Sequence, residues 1–244
     1  MPRKSFPAGF EQYSRLQYYS TLFNSLEINS SFYKVPQAKT FMRWSGEVPD
    51  HFRFSVKCWK QVTHGRKLQY NPADVDYFLS CASGMADEKK GCLLLQFPKS
   101  IDPTYHDKLV GLLKLIRQYP ASVPWRVSVE FRHPGWYTAD VYAKMEQVQA
   151  AVVVHDMPDS AIVQPPVNLP WVYCRFHGVK GDYRGDYSST ELARYATRIQ
   201  KWRSEGREVY AYFNNTLGNA YENTHMLHTL IKKSRRSAGS QRAN

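Results

Sequence analysis

Apolar and polar positions along the chain follow two periods, and the switches between them divide it into strands and helices. The segment from Trp125 to Tyr137 carries the clearest pattern. Val127, Val129 and Phe131 alternate with Ser128, Glu130 and Arg132, which puts the apolar set on one face of a strand and three polar side chains on the other. Pro134-Gly135 ends this strand, because Pro removes a ladder donor and Gly permits a sharp turn. The same alternation recurs elsewhere. In Ser25–Asn29, Leu26 and Ile28 oppose Glu27 and Asn29; in Phe52–Lys57, Phe54 and Val56 oppose Arg53, Ser55 and Lys57. Trp171–Gly178 puts Tyr173, Arg175 and His177 on one face, and Glu208–Asn215 is the last strand. Gly91–Pro98 and Ala150–Asp156 are apolar on both faces, as expected where helices cover a parallel sheet.

Helical periodicity fills the intervals. Residues 8–23 carry a stripe of Phe10, Tyr13, Leu16, Tyr18 and Leu22, and a second helix centres on Ala38–Trp44. A third starts near Pro72. Asp102-Pro103 supplies a cap and first turn for a helix burying Leu109, Leu112, Leu113 and Ile116. Thr138 caps a helix to about Val148. Ser188 or Ser189, with Glu191 following, opens one that ends at Gly206, and Gly218–Ile231 closes the series. Cys58–Leu68 and Met157–Pro170 read as irregular connections. Strands separated by helix-length intervals predict an α/β protein with a parallel sheet. Such a series in one domain, residues 1–231, predicts a TIM-type (β/α) barrel.

Charge and cysteines refine this picture. The net charge is +12, and residues 232–244 contribute Lys232, Lys233, Arg235, Arg236 and Arg242 with no acid. This stretch is expected to be a disordered, solvated tail, with contact to RNA or another anionic surface as the functional alternative. No apolar run reaches membrane-spanning length, and Met1–Pro7 lacks the apolar core of a secretory signal. Cys58, Cys81, Cys92 and Cys174 form no Cys-x-x-Cys pair, which fits reduced thiols in a cytoplasmic protein.

The candidate chemistry lies at the carboxyl ends of the strands. Successive ends present Glu27 with Asn29, then Lys57, Gln96, Glu130 with Arg132, Asp156, Arg175 with His177, and Asn214. Thr63, His64 and His133 stand in the adjoining loops. In a barrel these positions share one rim, where barrel enzymes place their sites. Glu27 with Lys57, or Glu130 with Arg175, read equally well as buried ion pairs. Burying charge is costly, however, and its recurrence at the same end of nearly every strand favours a ligand site.

Three carboxylates among three cations disfavour a dedicated divalent-metal site, although Glu130, Asp156 and His177 are a conceivable ligand set. The chain has no G-x-S-x-G, phosphate-binding loop or dinucleotide fingerprint, and no cofactor is called for. The expected activity is acid–base catalysis, hydrolytic or isomerising, on a small anionic substrate bearing a phosphate or carboxylate. Glu130, His177 and Asp156 are the catalytic candidates. Lys57, Arg132 and Arg175 bind the anion, and Glu27, Asn29, Gln96 and Asn214 orient it. Two other readings stay open. The basic charge and the 17 tyrosines and 6 tryptophans suit nucleic-acid binding or processing, and the same cleft would serve a non-catalytic sensor or partner-binding barrel.

Seven segments together resemble one family. They are Glu27-Ile-Asn-Ser-Ser-Phe-Tyr33, Phe54-Ser-Val-Lys57, Thr63-His64, Leu95-Gln-Phe-Pro98, Val129 to Trp136, Tyr173 to Gly178, and Tyr212-Phe-Asn-Asn215. In that order, and over about residues 6–231, the chain resembles the YecE-like family, domain of unknown function 72. The resemblance implies a TIM-type barrel with these polar residues around a rim cleft, and no settled reaction. One departure is expected to matter: the family's Gly-containing first strand has no counterpart before Phe6-Pro7, so the first barrel strand is expected to be missing from this chain.

Overall fold

The computed structural model describes the backbone of residues 6–240 and the side chains of residues 6–232. The chain forms two compact units, Met1–Val129 and Glu130–Asn244, within the span expected to be one domain. Both consist of parallel strands alternating with helices, the α/β class that the periodicity predicts.

The first unit runs α1 (Arg15–Leu22), β1 (Ser25–Ile28), α2 (Ala38–Gly46), β2 (Arg53–Lys57), α3 (Lys60–Thr63), α4 (Pro72–Ala82), β3 (Lys90–Phe97) and α5 (His106–Gln118). β4 (Arg126–Phe131) carries the chain into the second unit. α1 starts later than its apolar stripe predicts because Ser14 and Gln17 cap each other there. The Ser14 hydroxyl accepts from the Gln17 N–H while the Gln17 side chain accepts from the Ser14 N–H. β1 and β2 pair in parallel with Glu27 opposite Ser55. β2 pairs in parallel with β3, with an irregular register: Phe54 faces Lys90 but Val56 faces Leu93. β3 is buried from end to end, as its two apolar faces predict. α5 buries Leu109, Leu112, Leu113 and Ile116, the stripe read from its periodicity. Full burial of such side chains contributes roughly 1.5–3 kcal/mol each.

The second unit runs α6 (Ala139–Gln147), β5 (Ala150–Val152), β6 (Val154–His155), β7 (Trp171–Phe176), α7 (Ser189–Ser204), β8 (Glu208–Phe213) and α8 (Ala220–Ser240). The single strand expected over 150–156 is interrupted at Val153. Beyond the break, β6 pairs in parallel with β7. His155 also exchanges backbone hydrogen bonds with Ile162, at 3.0 and 2.9 Å, which ties the Pro-rich connection to the strand. β7 pairs with β8 in parallel, Arg175 opposite Tyr212.

The two faces of β7 have different neighbours. Val172, Cys174 and Phe176 enter an apolar core with Leu192, Ala196, Ile199 and Trp202 of α7. Tyr173, Arg175 and His177 take the opposite face by the pleat. On β8, Val209, Ala211 and Phe213 pack against the same core, while Tyr210 and Tyr212 lie beside Tyr173. Ser188 and Glu191 cap α7 reciprocally. α8 keeps a helical backbone to Ser240, so residues 232–240 are helical where a disordered tail is expected; residues 241–244 lie outside the described residues. No proline interrupts this stretch. Among the described residues, no helix is long and apolar enough to cross a membrane.

Candidate active site

In the second unit, the sequence-predicted polar residues form one hydrogen-bonded cluster. Glu130, near the end of β4, is completely buried. Arg132 follows two residues later and returns its Nε to Glu130 Oε1. Arg175 on β7 donates from Nη1 to Glu130 Oε2 at 2.6 Å and from Nη2 to Asn214 Oδ1 at 3.2 Å. One carboxylate thus holds two guanidinium groups in place. Burial alone would raise the carboxyl pKa, but the Arg175 and Arg132 charges outweigh it and hold Glu130 well below the usual carboxylate range.

His177 lies between this cluster and Asp156. Asp156 Oδ1 accepts from the His177 backbone N–H at 2.7 Å and lies 3.1 Å from its Nδ1. Nε2 lies 3.0 Å from Arg132 Nη2 and 3.5 Å from Arg175 Nη1. Guanidinium groups only donate, so Nε2 is the acceptor and Nδ1 carries the proton given to Asp156. Asp156 is itself fixed, because the Tyr187 hydroxyl donates to its Oδ2 and accepts from the Gly178 N–H at 2.7 Å. Burial and the Asp156 charge push the Tyr187 phenol far above its ordinary pKa, so it stays a donor.

A second buried imidazole lies behind the first. The rings of His155 and His177 are 6.0 Å apart and perpendicular. His155 Nδ1 accepts from the Met157 N–H at 3.3 Å, which leaves Nε2–H to donate to the Tyr137 hydroxyl at 2.8 Å. The Tyr137 hydroxyl in turn donates to the Phe131 carbonyl at 2.8 Å. Burial lowers the His155 pKa to about 4, with Glu130 opposing and His177 adding to the shift.

The first unit gathers the other predicted residues. Asn29 Nδ2 donates to Glu27 Oε1 at 2.8 Å, and Lys57 Nζ donates to Gln96 Oε1 at 3.0 Å. Lys57 Nζ also stands 4.3 Å from the centre of the Phe32 ring, a cation–π distance. The Thr63 hydroxyl lies 2.9 Å from His64 Nδ1, and the His64 ring meets Phe32 edge-on at 4.7 Å. His133 makes a local contact. Its Nδ1 accepts from the Gly135 N–H at 3.1 Å, so it caps the short turn Pro134–Trp136.

Among the described residues, no three His, Cys, Asp or Glu side chains are arranged to hold a metal ion. Glu130, Asp156 and His177 meet, but guanidinium groups occupy the carboxylate and imidazole lone pairs a metal would need. Sequence reasoning missed Tyr187, Tyr137 and His155. His155 was visible as the polar end of an apolar strand. Tyr187 stands just before the cap of α7, where nothing in the pattern sets it apart from a loop residue.

These features define an α/β protein whose strand ends hold a buried carboxylate–guanidinium–imidazole cluster. The family described as "Protein of unknown function DUF72" matches residues 2–244, and the chain belongs to it. It is 24% identical to the UPF0759 protein YunF of Bacillus subtilis, over 87% of this chain and 84% of that one. It is 29% identical to the UPF0759 protein YecE of Escherichia coli K12, over 50% of this chain and 43% of that one. A solved DUF72 protein of Enterococcus faecalis superimposes with a TM-score of 0.76 at 20% identity, covering 92% of this chain and 95% of its own. One from Thermotoga maritima gives 0.72 at 24% identity, covering 89% and 88%. These likenesses show the fold.

Proposed function

We propose that the second-unit cluster binds a small oxyanion, a phosphate or carboxylate, and moves a proton at His177 Nε2. The observation that carries this reading is the placement of Arg132. Its Nη2 stands 3.0 Å from the His177 acceptor, while its Nη1 makes no hydrogen bond to any described residue. Its side chain is 12% exposed, whereas Glu130 and His177 are sealed. A guanidinium edge open beside a basic nitrogen suits an anion with an adjacent proton to give up.

In this reading Glu130 is a clamp and not the base. A buried carboxylate held ionised by two guanidinium groups is a weak proton acceptor. His177 is the better candidate: Asp156 holds its Nδ1–H, and its Nε2 lone pair becomes free to take a proton when the bound oxyanion draws Arg132 Nη2 away from it. Asp156 also stabilises the imidazolium once the proton arrives, and Tyr187 keeps Asp156 in position. Arg175, held by the Asn214 carbonyl oxygen, completes the positive wall. The chemistry that fits is proton abstraction from water or from a substrate carbon or hydroxyl beside the bound oxyanion, in a hydrolysis or an isomerisation. Glu27, Asn29, Lys57, Thr63, His64 and Gln96 are proposed, separately, as ligand-binding residues within the first unit. Cys58, Cys92 and Cys174 are buried and form no disulfide, which suits a reducing, cytoplasmic setting.

Calorimetric titration with inorganic phosphate and small carboxylates tests the reading. Arg132→Ala is expected to weaken binding at least tenfold, and His177→Asn to retain it. Equal affinity of wild type and Arg132→Ala would refute the site. Binding confined to oligonucleotides, weakening steeply with salt, would instead point to nucleic-acid recognition through the basic surface.

A further inference from the structure

The loop from Gly178 to Tyr187, between β7 and α7, contributes more than the Asp156 anchor. Four of its residues have left-handed backbone: Gly178 (φ 93°), Gly181 (69°), Tyr183 (64°) and Gly185 (74°). For the three glycines this conformation costs little; for tyrosine it is unfavourable. Tyr183 is nevertheless held firmly in it. Its N–H donates to the His177 carbonyl at 2.8 Å, and its own carbonyl accepts from the Leu217 N–H at 3.0 Å. The surrounding chain is fitted to the loop: Asn215 Nδ2 donates to the Gly185 carbonyl at 2.9 Å, and a side chain at Gly218 would meet that same oxygen at 2.4 Å.

The constraint presents an aromatic ring beside the proposed base. The Tyr183 ring centre is 5.7 Å from that of His177, nearly perpendicular to it, and Tyr183 remains 41% exposed. Leu217, its backbone partner, is 68% exposed. The left-handed backbone at Tyr183 costs free energy, and it holds a partly exposed aromatic ring beside the charged cluster. This arrangement is accounted for if the ring is covered by something that also engages the cluster.

We infer that Tyr183 is a specificity-determining residue that stacks on a planar ring of the ligand, making the favoured ligand a ring-bearing phosphate monoester. This rests on the oxyanion reading of Arg132 and extends it from the anion to the rest of the molecule. Tyrosine suits the task because its flat face packs on a ring of any pattern of polar substituents. The anion and the ring would then be read by different residues, Arg132 and Tyr183.

The test uses three probes in calorimetric titrations of the full chain: inorganic phosphate, glycerol phosphate and a nucleoside monophosphate. Wild type is expected to bind the nucleoside monophosphate about 10- to 100-fold more tightly than glycerol phosphate, the range of a single stacking contact. Tyr183→Ala should bring these two to parity with phosphate affinity unchanged, and Tyr183→Phe should keep the preference. Arg132→Ala should weaken all three. No ring preference in wild type, or a Tyr183→Ala loss spread equally over the three probes, overturns the inference while leaving the anion site standing. Failure of all three probes to bind wild type overturns both.

Discussion

Glu130→Gln preserves side-chain volume and removes the charge at the centre of the cluster. In the native protein Glu130 is sealed from solvent and accepts from Arg132 Nε and, at 2.6 Å, from Arg175 Nη1. A glutamine keeps one acceptor oxygen and turns an amide NH2 toward one of the two guanidinium groups. One charge-assisted bond becomes a donor–donor contact, and two buried cations lose their shared counter-charge. Charge-assisted hydrogen bonds contribute about 1.5–3 kcal/mol each, and removing one partner of a buried ion pair costs about 3–5 kcal/mol. The expected destabilisation is therefore about 4 kcal/mol. With a urea m-value of about 2 kcal/mol/M, the unfolding midpoint should fall by about 2 M. The assay is urea unfolding followed by tryptophan fluorescence, repeated for Arg175→Gln and for the double variant. A coupling energy of about 1.5–3 kcal/mol is expected between the two positions. The pH dependence has a definite sign. The native carboxyl pKa is depressed, so its contribution is complete above the unfolded value of about 4.3 and declines as pH falls through the folded value. Wild type and variant should therefore differ most near neutrality and converge in acid. A loss below about 1 kcal/mol at neutral pH, or coupling near zero, would refute the view that Glu130 is the clamp on which the cluster depends.

Three further outcomes are expected. His155 titrates near 4 in the folded protein and near 6.5 unfolded, so stability should fall as pH drops through that window, by roughly 3 kcal/mol in total. His155→Gln should flatten this part of the curve, and an unchanged slope would assign the loss to other groups. Burial raises the thiol pKa of Cys58 and Cys174 and Cys92 is sealed, while Cys81 is half-buried, so a thiol reagent should modify one cysteine in native protein and four in denaturant. Rapid modification of more than one native thiol would contradict the packing. Ser188→Ala removes the reciprocal cap of α7 and should cost about 1 kcal/mol in thermal or urea unfolding; no change would mean that the first turn of α7 is held by packing alone.

Much of the hydrogen-bonded cluster was legible because a strand's pleat assigns side chains to faces without reference to anything distant. Tyr173, Arg175 and His177 alternate with Val172, Cys174 and Phe176, and the structure gives the two sets different surroundings. The helices were legible where capping and stripe agreed, as in α5 and α7, and mis-started where they disagreed, as at Ser14. The break at Val153 was not legible, because Ala150–His155 is uniformly apolar until its last residue and the interruption depends on which neighbours each half pairs with. His133 illustrates the converse. It lies one residue from Arg132, and the structure shows its Nδ1 capping the turn at Gly135, a contact the alternation did not predict.

The amino-acid order by itself determined the α/β class, the succession of elements and the set of polar residues at the strand ends. These follow from local periodicity, from capping residues and from proline and glycine, which act over a few neighbouring positions. Only the tertiary structure decided which members of that set meet. Glu130, Arg175 and Asn214 are joined by hydrogen bonds across 45 and 39 residues of sequence. The tautomer of His177 is equally tertiary: it depends on a carboxylate 21 residues upstream and guanidinium groups on the other side of the ring. Hydrogen bonding and charge act over a few ångströms of space, whatever the separation along the chain, and a one-dimensional pattern carries no record of that distance.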